Sequence, residues 1–131
     1  KIDREEALAI LKAVYRQAKA SNLEPDLVLA VIAIESSFNR FALSSAGAQG
    51  LMQVMPFWKD ELGRPQDNLM DVETNIRYGC KILQYYLEKS DGKLSEALAR
   101  YNGSYGQTTY PEKVLLSWQE RWHSGRINAY R

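Results

Sequence analysis

The stretch VLAVIAIESSFN, Val28 to Asn39, runs through seven apolar residues and stops on Glu35. A glutamate just past such a run is ordinarily a solvated surface group. Here the preceding residues are apolar on every face, so the end of their helix should be enclosed. Desolvation disfavours the charged carboxylate, and the negative end of the helix macrodipole disfavours it further. A carboxyl raised toward roughly 6–7 keeps its proton at neutral pH and can deliver it to a leaving group. Ser36 and Ser37 would offer hydroxyls at the mouth of such a site.

Two further clusters carry polar groups among apolar or aromatic ones. In SSAGAQGLMQVMP, Gly47 and Gly50 bracket a turn and Gln53 interrupts an apolar segment. The plain reading is a loop followed by a helix packed through Met52 and Met55. The functional reading is a substrate wall, with Gln53 hydrogen-bonding a polar ligand beside soft methionine surface. In ARYNGSYGQTTY, Tyr101 and Asn102 close a helix before a glycine-rich turn, and Tyr105 and Tyr110 follow. Helix termination explains this pattern as well, but tyrosines also stack on sugar rings, and a phenol can orient a carboxylate.

The elements that must position these groups are mostly helices. Asp3 and Glu6 have capping-box spacing ahead of the stripe Ala7, Leu8, Ile10, Leu11, Val14, Tyr15 and Ala18. Pro25 suits the first turn of a second helix, Pro25 to Ser36, which should be the buried central one. Leu51, Met52 and Met55 are expected on one face of a short helix. Asp71 can cap a long helix through Glu88. SEALARYN and YPEKVLLSWQERW read as two more helices, and the segment from His123 as a tail. Period-two alternation is never sustained, so any sheet must be small.

The chain has 131 residues, enough for one domain with a real core. Its division is read as an N-terminal helix (1–22), a catalytic core (23–122) and a tail (123–131). Hydrophobic residues make up 45% and charged ones 25%, which argues against disorder. A net charge of +1 argues against nucleic-acid binding by bulk electrostatics. One cysteine, Cys80, and one histidine, His123, cannot form an internal disulfide or the usual soft zinc sets. No apolar run approaches a membrane span. Membrane contact is expected only from a removed anchoring segment, because the chain starts at Lys1 without a methionine and reads as processed or trimmed.

Four motifs together resemble the soluble lytic transglycosylase family, with its lysozyme-like catalytic domain. They are IESSFN, S-x-A-G-A-x-G-L-M-Q-x-M-P (Ser44 to Pro56), D-x-x-x-N-I-x-x-G (Asp71, Asn75, Ile76, Gly79) and A-x-Y-N-G (Ala99 to Gly103). They occur in the family's order over about Leu23 to Leu115. The resemblance implies a mainly α, lysozyme-like (α+β) fold, a helical bundle around the buried central helix with at most a small sheet. It implies cleavage of the β-1,4 bond between N-acetylmuramic acid and N-acetylglucosamine in peptidoglycan, without water, leaving 1,6-anhydro ends. Glu35 matches the single catalytic glutamate. Ser44 matches a serine contacting the reacting sugar, and Gln53 and Met55 match residues of the cleft. Tyr101 matches the tyrosine near the acid, and Asn102 its neighbour. No metal or cofactor is expected. The expected partner is the glycan strand of a bacterial periplasm or cell envelope, engaged by a monomer. Arg100 stands where the family often has alanine, NGSYG replaces its NAGPG turn, and QTTY replaces its E-T-R stretch. A hydrolase of the goose-type lysozyme kind, or a module that binds peptidoglycan without cleaving it, are the alternative readings.

Overall fold

A computed structural model of the protein describes residues 3–122; the proposed tail from His123 lies outside them. Among the described residues six α-helices follow one another. They are α1 (Arg4–Ala20), α2 (Pro25–Ser36), α3 (Trp58–Leu62), α4 (Val72–Lys89), α5 (Leu94–Asn102) and α6 (Thr109–Ser117). A π-helical turn, Trp118–Trp122, extends α6. There is no sheet among them, only two isolated antiparallel bridges, Leu43 with Gln49 and Gln49 with Val54.

The helix ends are set locally. The Asp3 carboxylate accepts from the Glu6 amide at 2.8 Å, and Asp71 accepts from the Thr74 amide at 3.0 Å. Each removes one of the unsatisfied donors of a first turn. Pro25 opens α2, where its missing N–H costs nothing. At the end of α5, Gly103 adopts φ +81° and the Ser104 amide reaches back to the Ala99 carbonyl at 2.8 Å. This left-handed cap turns the chain sharply after Asn102.

Packing follows from the apolar patterns. Leu27 to Ile32 of α2 are buried on all sides. Helices α1 and α6 and the π-helical turn surround α2, while α4 packs on α1 and α5. The expected central helix is therefore the centre of the bundle. Trp118, the first residue of the π-helical turn, is fully buried, and that turn packs on α2 and α6.

The expected short helix over Leu51 to Met55 does not form; residues 51–53 are turn and Val54 joins a bridge. Gly47, Gly50 and Gln53 take φ of +100°, +79° and +54°, left-handed values that break a right-handed helix. The Met52 amide is held by the Asn75 side chain rather than by a carbonyl one turn back. Trp58–Leu62, one turn later, is the helical segment of this region.

Candidate active site

The last turn of α2 carries Glu35 to the wall of a cavity of about 380 Å³. Asn102 and Ser104, at the end of α5, and Gln107 form one side of it. Thr109, Tyr110 and Lys113 of α6 form another, and Ile34 adjoins Glu35. Burial pushes the Glu35 carboxyl up from 4.5 to about 7, and the nearby Tyr110 hydroxyl opposes the rise. Removal from water penalises the charge directly.

Tyr110 is 8% exposed, and its phenol lies well above its ordinary pKa because of burial first and the Glu35 charge second. Its hydroxyl closes no well-aligned hydrogen bond in this geometry, although it stands beside the carboxyl. It is thus the polar group that acts directly on the Glu35 carboxyl. Ser104 has a buried hydroxyl that is likewise without a partner in the cavity wall. The cavity therefore presents a protonatable carboxyl with the Tyr110 phenol acting on it, and the unpartnered Ser104 hydroxyl, to whatever enters it.

Against the helix end, the loop from Ala42 to Met55 is fastened by side chains. Asn75, buried in α4, accepts from the Met52 amide and donates to the Gln49 and Leu69 carbonyls, each at 2.8 Å. A Cβ on Gly50 would meet the Asn75 amide at 2.3 Å and the Leu69 carbonyl at 2.6 Å. One on Gly79 would meet the Met52 sulfur at 2.3 Å. Two hydrogen bonds then tie this loop to the helix ends. Ser36, next to Glu35, donates to the Leu51 carbonyl at 2.7 Å, and Tyr101 donates to the Met52 carbonyl at 2.7 Å.

The residues singled out from sequence are divided by this arrangement. Asn102 lines the same cavity as Glu35. The Tyr101 phenol is held beneath it, within electrostatic reach of Glu35. Gln53 turns its amide onto the Ala42 and Gly50 carbonyls, at 3.2 and 3.0 Å, and clasps the loop. Ser44 accepts from the Ala48 amide at 3.0 Å and closes the tight turn there. Neither of these two, nor Met55, is among the residues that form the wall of the Glu35 cavity. Met52 is wholly buried against Gly79 and cannot present cleft surface. Ser36 is spent on the loop and not offered at the mouth.

Sequence reasoning did not assign Ser104, Gln107, Thr109, Tyr110 or Lys113 to the site. Tyr110 had a signal, a tyrosine in a cluster following the Tyr101–Asn102 helix end. The others are ordinary polar residues whose placement depends on how α5 and α6 meet.

A family model described as the transglycosylase SLT domain matches residues 12–113. The chain belongs to this family. A relative named transglycosylase, from Enterobacteria phage PRD1, is 38% identical over 101 residues, covering 72% of this chain and 37% of its own length. Another, the membrane-bound lytic murein transglycosylase C of Yersinia pestis (strain Pestoides F), is 33% identical over 112 residues. That match covers 73% of this chain and 31% of the relative. The chain thus spans about a third of the length of these relatives. Among solved structures, the 70 kDa soluble lytic transglycosylase of Escherichia coli aligns with a TM-score of 0.64 at 24% identity. The alignment covers 91% of this chain and 22% of that one. The lytic transglycosylase Slt of Pseudomonas aeruginosa aligns at 0.65 with the same identity, covering 91% and 21%. The likeness establishes the lysozyme-like transglycosylase fold for this SLT domain.

Proposed function

We propose that this SLT domain cleaves the β-1,4 bond between N-acetylmuramic acid and N-acetylglucosamine in the peptidoglycan of a bacterial envelope, with Glu35 as the only catalytic carboxyl. One observation carries the reading. Glu35, raised to about 7, is the sole acidic residue in the cavity wall among the described residues. The segments outside the description, 1–2 and 123–131, contain no Asp or Glu. A glycosidase that activates water ordinarily needs a second carboxylate on the opposite face of the sugar.

With one carboxyl, the substrate supplies the nucleophile. Protonated Glu35 gives its proton to the glycosidic oxygen as the bond from the muramyl C1 breaks. The carbonyl oxygen of the muramyl N-acetyl group stabilises the cationic carbon. The Glu35 carboxylate then takes the proton of the C6 hydroxyl while O6 bonds to C1, which closes a 1,6-anhydro ring and restores the acid. A pKa near 7 suits both halves, since the same group must give and accept a proton at neutral pH. An internal hydroxyl held in line has an effective molarity of roughly 10⁵ M or more, far above the concentration of water.

The other residues serve this step by position. Asn102 and the unengaged Ser104 hydroxyl contact the sugar in the cavity. Tyr110 orients the carboxyl, and Tyr101 and Gln53 hold the loop from Ala42 to Met55 in place. Ser44 and Met55 shape that loop where a neighbouring sugar lies. The strand is engaged by a monomer, without metal, cofactor or nucleic acid.

Digestion of peptidoglycan in isotopically labelled water tests this. The expected product carries a 1,6-anhydro-muramyl end with no label. Label at the new muramyl end makes the protein a hydrolase. Binding with no product at all makes it a glycan-holding module.

A further inference from the structure

A second groove, of about 480 Å³, opens between α3 and α4; Phe57, Trp58, Tyr85 and Tyr86 line it together with Glu61 and two aliphatic side chains. Its rings support one another. Trp58 meets Phe57 at 5.1 Å and the edges of Tyr85 and Tyr86 at 6.3 and 6.1 Å between centroids. Phe57 and Tyr85 are nonetheless 55% and 48% exposed, so two ring surfaces remain for a ligand. The core does not require them there.

The groove is not isolated from the Glu35 cavity. Arg100 of α5 lies close enough to Tyr86 for its charge to act on the phenol. The same guanidinium stacks over the Tyr105 ring at 4.1 Å. Tyr105 adjoins Ser104, which lines the Glu35 cavity. Tyr86, Arg100 and Tyr105 thus connect the α3–α4 groove to the turn whose Ser104 lines the Glu35 cavity. Arg100 and the NGSYG turn that make the link are the positions where this chain departs from the pattern it otherwise resembles.

We propose that the Phe57–Trp58–Tyr85–Tyr86 groove is a distal glycan-binding site, holding sugar rings of the strand whose other part occupies the Glu35 cavity. This rests on the substrate reading above. A sugar ring has an apolar C–H face and polar edges, and the groove matches it with aromatic faces flanked by the Glu61 carboxylate and two phenols. A polymer anchored at two places gains from making the second contact intramolecular, so length should strengthen binding without any change at the cavity.

The test uses the Glu35→Gln protein, so that strands are bound and not consumed, and soluble peptidoglycan strands without cross-links. Dissociation constants are measured for a single disaccharide repeat and for long strands, with and without Phe57→Ala plus Tyr85→Ala. Both side chains point outward, and the melting temperature confirms that the double variant folds. The expected result is a loss of roughly tenfold on long strands and less than about twofold on the single repeat. Arg100→Ala, which breaks the link, should give a smaller loss with the same length dependence. Unchanged binding of long strands overturns the proposal and is the outcome of a groove that seats another protein or a second copy. An equal loss at both lengths overturns it as well. Failure of the Glu35→Gln protein to bind either length removes the substrate reading itself, a result distinct from both.

Discussion

The Asn75 side-chain oxygen accepts a hydrogen bond from the Met52 amide at 2.8 Å, joining the long helix α4 to the loop that Ser36 and Tyr101 tie to the ends of α2 and α5. The same side chain donates to the Gln49 and Leu69 carbonyls. One buried amide therefore satisfies three backbone groups and fixes the loop's distance from the helix ends. Asn75→Ala leaves those groups unpaired in the interior and should cost about 2–4 kcal/mol, read from denaturant unfolding. Asn75→Asp keeps the acceptor but loses both donations, and should still lose more than about 1 kcal/mol. Stability within a few tenths of wild type for both variants would contradict the clamp.

Glu35→Gln tests both the chemistry and the burial. Peptidoglycan cleavage should fall by roughly 10⁴-fold or more, since one side chain serves as acid and base. Activity within tenfold of wild type would exclude Glu35 as the catalyst.

The stability of the same variant has a definite sign. The folded carboxyl titrates near 7 and the unfolded one near 4.5. The unfolded state therefore releases its proton first, and wild-type stability declines as pH rises through that interval and levels off above it. A shift of this size corresponds to about 3 kcal/mol. Glu35→Gln lacks the penalty, so its advantage over wild type should be larger at pH 8 than at pH 4. Melting-temperature differences that do not change with pH would be inconsistent with a buried acid.

Tyr110→Phe removes the hydrogen-bonding influence that holds the Glu35 pKa down. The alkaline limb of kcat should move to higher pH, while glycan binding at low pH stays close to wild type. A residue that merely fills space would leave the limb in place. The pH profile therefore separates orientation of the acid from packing.

Gly79→Ala places a methyl where the Met52 side chain packs. Overfilling of this kind typically costs about 1–3 kcal/mol. Relief by a second change, Met52→Ala, would show that the two share one space. If the double variant is as unstable as the sum of the single ones, that explanation fails.

Much of this architecture is local and was therefore legible in the chain. Pro25, Asp3 and Asp71 mark helix starts because their chemistry acts within one turn, and Val28 to Ile34 marks the central helix because nothing else would be apolar on all faces. Glu35 stood out for the same reason, as a charge placed where solvent would be scarce. The family motifs added the order of the pieces, and Asn75, Gly50 and Gly79 proved to be the parts that hold them together. What required tertiary structure was contact between segments far apart in sequence. The turn at Leu51 to Val54 looks helical by periodicity, but Asn75 takes its amide from 23 residues away and left-handed backbone does the rest. Tyr110 reaches Glu35 only because α6 lies against α2, and Gln53 and Ser44 turn onto the loop's own backbone groups. Periodicity reports which face of an element is buried. Which neighbour buries it, and which carboxyl loses its water as a result, is decided by how the helices meet.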